Sequence, residues 1–124
     1  MKKRKNARMA QIRKLDRIFS KIMHNKTFKC ERCGKIINLQ IHHIIEKDTK
    51  NIELRFDEEN IIMLCSGCHF WLHRHMILGV IFLIQKIGVK KIVMLLKKYL
   101  KPRVEVSLTD LEIKLKEEFN NANK

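Results

Sequence analysis

The sequence has no apolar run long enough to cross a membrane. A span needs roughly 18 continuous apolar residues, and the longest stretch, Met76–Ile84, is half that. No secretory signal is visible either, because Met1–Arg17 is cationic with no apolar core after it. These absences exclude a membrane span and point to a reducing, intracellular setting, where paired cysteines hold metal more often than they form disulfides. Internal repeats are missing as well, so the 124 residues are expected to form one domain with an attached arm or tail. Proline occurs once, at Pro102, where it breaks a helical pattern. The last shortage is of acid: 13 Asp and Glu stand against 27 Lys and Arg, a net charge of +14.

That charge is unevenly spread. Residues 1–29 carry eleven bases and one acid, residues 30–75 six bases and seven acids, and residues 76–124 ten bases and five acids. A near-neutral centre between basic flanks suits a polyanion held by the flanks and worked on in the middle. Lysine serving only solubility accounts for the total but poorly for the asymmetry. Three segments follow: a basic arm with an amphipathic helix (1–29), a central core (30–75) and a helical tail packing on it (76–124).

Met1–Arg8 reads as a basic tail, disordered until it meets phosphate. From Met9 to Met23, Ile12, Leu15, Ile18, Phe19, Ile22 and Met23 recur at helical spacing, opposite Arg13, Lys14, Arg17 and Lys21. The wet face of that helix is expected to bind phosphate. Ile36–Ile45 is rich in β-branched residues and predicts a strand; Glu46–Glu59 predicts a loop. Asn60–Leu64 predicts the returning strand and Ser66–His75 a helix. Met76–Ile87 and Val89–Tyr99 predict two more helices, the second with Ile92, Val93, Leu95, Leu96 and Leu100 inward and Lys90, Lys91, Lys97 and Lys98 outward. A last helix is expected from the capping-box spacing Thr109-Asp110-Leu111-Glu112. The fold class is therefore α+β: strand, loop, strand and helix around metal, with flanking helices.

All four cysteines lie in the centre, as Cys30-Glu31-Arg32-Cys33 and Cys65-Ser66-Gly67-Cys68. Two C-x-x-C turns can close a tetrahedral zinc site with no open position, which makes its role structural. The 31 residues between the pairs exceed simple zinc-ribbon spacing, and this insertion holds His42 and His43.

Adjacent strand residues face opposite sides, so His42 and His43 are expected to have separate tasks, one holding metal and the other facing water. His69 and His73, four apart on a helix, project from one face and with His42 offer three nitrogen ligands. Asn60, at the start of the second strand, is placed to hold an imidazole in its active tautomer through its amide or its carbonyl. One metal and one general base suffice to hydrolyse a phosphodiester. His24 and His75 are read as surface or capping residues.

The segment Cys30–His73 resembles the HNH endonuclease family, in the order Cys30 and Cys33, His42-His43, Asn60, then Cys65-x-x-Cys68-His69. The resemblance implies a ββα-metal, treble-clef-like core, His43 as general base, Asn60 as the residue that orients it, and His42 with His69 as ligands of the catalytic metal. His73 matches the further ligand of members with an H-x-x-x-H helix. Many members carry Asp where this chain has His42, a departure that moves the expected catalytic metal from Mg²⁺ towards Zn²⁺, Mn²⁺ or Ni²⁺. From Cys30 onwards the chain also resembles, more weakly, the NinG (Rap) recombination proteins of lambdoid phages, in "LRFDEENI", the C-x-x-C turn, "LIQKIG" and "LTDLEIKLKEEF". Their second cysteine pair is typically followed by Asn, where this chain has His69.

The HNH resemblance implies a DNA endonuclease leaving 5′-phosphate and 3′-hydroxyl ends, expected to be bacterial or phage-encoded and cytoplasmic. The weaker NinG resemblance adds branched or nicked DNA as a substrate, without a branch preference that can be read from the chain. A zinc-stabilised module that grips DNA without cutting would share the cysteines and basic flanks but have no use for His43 with Asn60. A structural zinc protein would need neither the histidines nor the arm. Sequence preference and oligomeric state have no signal in the chain.

Overall fold

β2 (Ile61–Cys65) is buried along its whole length, although it pairs on one side only. It runs antiparallel to β1 (Leu39–His43), in a register that sets Leu39 opposite Cys65 and His43 opposite Ile61. A strand covered on both faces must be apolar throughout, and Ile61-Ile62-Met63-Leu64-Cys65 is. In the computed structural model, which describes residues 2–123, Ile61 and Met63 face one core and Ile62 and Leu64 another.

The first core is roofed by α1 (Lys2–Lys26), which inserts Ile12, Leu15, Phe19, Ile22 and Met23. α6 (Leu108–Ala122) lies beside α1 and adds Leu108 and Leu115. The two helices point the same way: Gln11 reaches Thr109 and Lys14 pairs with Glu112 at one end, and Asn25 meets Asn123 at the other. The second core joins Ile62 and Leu64 to Leu72 of α3 (Ser66–Arg74), with Cys30, Cys65 and Cys68 among its members. α4 (Met76–Ile87) approaches α3 closely at Gly79, where a Cβ would sit 3.3 Å from the Leu72 carbonyl oxygen. α2 (Ile52–Arg55), a 3₁₀ turn (Glu58–Asn60) and α5 (Val89–Leu100) complete the elements among the described residues.

The order β1, β2, α3 is the expected ββα unit within an α+β fold. Several local expectations change. The basic tail is helical from Lys2, since Lys, Arg and Ala extend a nucleated helix at little cost; Met1 lies outside the described residues. β1 begins at Leu39 rather than Ile36, because the chain before it is bent into the first knuckle by Cys30 N–H on the Lys35 carbonyl, 2.7 Å, and by Asn38 at φ 52°. Ile36 and Ile37 are exposed as a result. The 46–59 segment is not all loop: Asn51 caps α2 within it by accepting from Leu54 N–H, 3.2 Å. α6 is capped by Ser107, accepting from Asp110 N–H, and starts one residue before Thr109. On α5 Leu95 is buried, but Val93, Leu96 and Leu100 are exposed rather than inward.

The central acids are matched by flanking lysines. Lys26 bonds Glu58 at 2.6 Å and Glu118 at 3.1 Å, Lys98 bonds Asp57 at 2.7 Å, and Lys91 bonds Glu59 at 2.9 Å. Such exposed pairs add little stability each, but they fix α5 and α6 against the 46–60 segment. They also show that Lys91 and Lys98, expected outward, are tied to protein carboxylates.

Candidate metal sites and the cleft between them and α1

The four cysteine sulfurs lie within 4.8 Å of one another, with Cys33 Sγ and Cys65 Sγ 3.6 Å apart. Zinc bonds of about 2.3 Å in a tetrahedron require sulfur separations of about 3.8 Å, so the cluster has the size of a zinc site. Each pair is shaped by its own turn: Cys33 N–H donates to Cys30 Sγ and Cys68 N–H to Cys65 Sγ, both 3.4 Å. Gly34 at φ 80° lets the first knuckle turn back. Glu31 ties that knuckle to β2 twice, its N–H donating to the Met63 carbonyl at 2.8 Å and its carboxylate accepting from Met63 N–H at 2.6 Å. Arg32 spans the two pairs: its guanidinium lies 3.6 Å over Trp71 and donates to Cys68 Sγ at 3.4 Å.

Their acidities are pulled apart. Burial raises the Cys30 thiol, but N–H donors from Cys33, Cys65 and Arg32 outweigh it and bring Cys30 to about 6. Burial pushes Cys68 up to about 12, with neighbouring sulfurs adding to it against Arg32. Four sulfurs this close cannot all ionise without a cation among them, and a divalent ion relieves that repulsion. The residues therefore fit structural zinc.

A second cluster sits on the α3 side of the sheet. The ligand-capable nitrogens of His42, His69 and His73 also lie within 4.8 Å of one another, and the ring centroids are 4.8 to 5.4 Å apart. His69 and His73 share one face of α3, and the register of β1 aims His42 at them. His69 Nδ1 is 2.6 Å from Gln40 Oε1, so Nδ1 carries the proton and Nε2 is left to face the cluster. Gln40 and His42 alternate onto the same face of β1. The spacing Gln-x-His carries that information, though Gln40 is not among the site residues expected from sequence. Burial, then His69 and His73, lower the His42 pKa to about 4. Burial and His73 lower that of His69 as well. Neutral nitrogens crowded together are what a metal ion requires of its ligands.

His43 points the other way, and its Nε2 lies 2.9 Å from the backbone carbonyl of Arg55. Since the partner is a carbonyl, Nε2 is the donor and Nδ1 is left with a free lone pair. Burial lowers the His43 pKa; the Arg55 carbonyl opposes this and Lys47 reinforces it. Asn60 makes its side-chain hydrogen bonds away from the imidazole, where the expectation is that it holds the ring. Its fully buried side chain instead closes the 45–54 segment: Oδ1 accepts from Ile45 N–H at 2.8 Å, and Nδ2 reaches the carbonyls of Ile45 and Leu54, both at 3.0 Å. Its own carbonyl accepts from Ile44 N–H at 2.8 Å. Asn60 thus holds Leu54, next to the His43 acceptor, and Ile45, two residues beyond His43, rather than the ring. Asn60→Ala strands the Ile45 N–H and takes a donor from the Ile45 and Leu54 carbonyls, and is expected to cost about 2 to 4 kcal/mol, read as a lower urea midpoint.

Both histidine sets open into one cleft of about 1000 Å³. Arg17 and Lys21 of α1 and Lys47 line one part; Met76, Val80 and Leu83 of α4 line another. Of the basic face expected on α1, Lys14 is engaged by Glu112 at 2.6 Å, whereas Arg17 and Lys21 look into the cleft. His75 caps α3 through Trp71, as a non-site residue. Among the described residues no helix is long and apolar enough to cross a membrane.

Residues 30–74 match the family model described as HNH endonuclease. No curated protein and no solved structure matches the chain significantly, so the likeness to NinG rests on the residues quoted for it. The matched span contains both cysteine pairs, all three clustered histidines, His43 and Asn60. Residues 30–74, the span that matches the HNH endonuclease model, are built as a ββα unit around a four-cysteine cluster of zinc-site size.

Proposed function

We propose that the protein is a metal-dependent endonuclease that hydrolyses DNA phosphodiester bonds. The observation that carries this reading is the division of the two neighbouring histidines within one cleft. His42 joins His69 and His73 as a three-nitrogen set, while His43, held by the Arg55 carbonyl, keeps a free Nδ1. A module that only grips DNA has no use for an imidazole fixed in one tautomer beside a ligand set.

In this reading Arg17, Lys21 and Lys47 hold the phosphates of a DNA strand along the cleft. His43 Nδ1 takes a proton from water, the water oxygen bonds to phosphorus, and the bond from phosphorus to the 3′ oxygen breaks. That oxygen is protonated from solvent, leaving a 3′-hydroxyl and a 5′-phosphate. His42, His69 and His73 would hold a divalent ion, which when bound would supply neutralisation of the charge that develops in the reaction. Three imidazole ligands favour Zn²⁺, Mn²⁺ or Ni²⁺ over Mg²⁺. Asn60 acts by keeping the Arg55 carbonyl in place.

Supercoiled plasmid and a branched duplex, incubated with the protein and each of these four ions, test the reading. Nicking that EDTA stops is expected. Binding without cutting under every metal would make it a DNA-binding module.

The helical arm gives a separate expectation. Lys2, Lys3, Arg4 and Lys5 are exposed on α1. Replacing all four with alanine preserves the helix, since alanine is the best helix former. DNA affinity should fall, and the slope of log K against log salt should flatten by about 0.9 for each phosphate that the arm no longer neutralises. An unchanged slope would mean that this end of α1 does not touch DNA.

A further inference from the structure

We propose that Asp16, on α1 and outside the HNH-matched span, is a positioning residue for His43; this rests on the reading of His43 as the base. The path from one to the other is short. Asp16 accepts twice from the Arg55 guanidinium, Oδ1 from Nε at 2.9 Å and Oδ2 from Nη2 at 2.7 Å. Arg55 is 7% exposed, so a buried cation depends on this carboxylate. The backbone carbonyl of the same Arg55 accepts from His43 Nε2 at 2.9 Å.

Two features make the carbonyl depend on α1. Arg55 ends α2, so its carbonyl has no partner within the helix and is free for His43. α2 has only four residues, too few to hold a helical shape unaided, and its position is set by what touches it. α1 touches it at consecutive residues. Asp16 grips Arg55, and Phe19, three residues further along the same face, packs edge-on against Phe56 at 5.6 Å. Asn60 holds the preceding Leu54 carbonyl from the other side. The acceptor is thus clamped between a residue inside the domain and a pair on α1. A bidentate carboxylate–guanidinium pair fixes direction as well as distance, which is what an imidazole needs to keep one tautomer.

The full chain tests this with ¹⁵N-labelled wild type, Asp16→Asn, Asp16→Glu and Asp16→Ala at neutral pH. Long-range ¹H–¹⁵N spectra show which ring nitrogen of His43 carries the proton. Wild type is expected to show Nε2–H alone; Asp16→Asn and Asp16→Ala should show both tautomers, with Asp16→Glu partly restoring the first. In plasmid cleavage, kcat should fall about 10- to 100-fold in the Asn and Ala variants, the usual effect of losing an orienting partner, while KM and zinc content stay near wild type. Because Asp16→Ala leaves Arg55 buried and unpaired, the double variant Asp16→Leu with Arg55→Met supplies a folded alternative. It keeps the carbonyl and should show the same loss of tautomer preference. A single Nε2–H tautomer and wild-type kcat in both Asp16→Asn and the double variant would overturn the proposal. His43→Ala, measured alongside, judges the base reading by itself: wild-type cutting there removes it, whereas the tautomer spectra still decide what Asp16 does.

Discussion

If His43 is the general base proposed above, His43→Ala is expected to lower the cleavage rate by about 10²- to 10⁴-fold, the range that a general base contributes, while catalytic-metal affinity, fold and DNA binding persist. The geometry sets the expectation. His43 faces away from His42, His69 and His73, so its loss removes no nitrogen from the three-histidine set. Its one hydrogen bond goes to the Arg55 carbonyl, in a segment that Asn60 still closes. The companion variants behave in the opposite way. His42→Ala, His69→Ala or His73→Ala deletes a ligand, and metal affinity falls first, with activity partly recovered by excess metal. Gln40→Ala is a milder member of that group, since it frees the His69 ring without removing a nitrogen. Isothermal titration of Mn²⁺ into each variant, beside its plasmid-nicking rate, separates the two classes. Loss of metal from His43→Ala, with metal retained but cutting lost in His42→Ala, would exchange the two roles.

What is legible in the sequence is what depends on spacing along one element. The C-x-x-C turns, the His69–His73 pair on a helix and the opposed His42 and His43 on a strand are local, and the structure gathers the first two into clusters. β2 can be read because it is apolar at every position, and α1 because it is apolar at helical period. What cannot be read depends on bonds between distant segments. Nothing near Arg55 in sequence indicates that its carbonyl receives His43, or that Asp16, 39 positions earlier, grips its side chain. The sequence leads one to expect that Asn60 orients His43 directly. The effect it can have is instead relayed through the Leu54 and Ile45 carbonyls, two bonds that only the folded chain reveals. The exposed stripe on α5 differs from expectation because periodicity identifies an apolar face without saying whether anything covers it.

The largest effect on stability is expected at the cysteines. The second core consists of Cys30, Cys65 and Cys68 together with Ile62, Leu64 and Leu72, so half of its buried members are ligand candidates. Structural zinc contributes about 10 to 16 kcal/mol at neutral pH in small domains, which is comparable to the whole stability of a typical fold, about 5 to 15 kcal/mol. Cys65→Ser removes a ligand and a core side chain, and it alters the sulfur that caps α3 by accepting from Cys68 N–H. This variant should lose zinc and the packing of β2 on α3, and with it the His42–His69–His73 cluster. Cys33 is the exposed member, so Cys33→Ser opens no hole in the core and should be milder. The other core, roofed by α1 and α6, contains no cysteine, and part of the helical signal should therefore survive in both variants. Elemental analysis, far-UV circular dichroism and hydrogen exchange of β2 measure the three consequences separately. Cys65→Ser that contains no zinc yet protects β2 as wild type does would show that apolar contacts alone hold the second core.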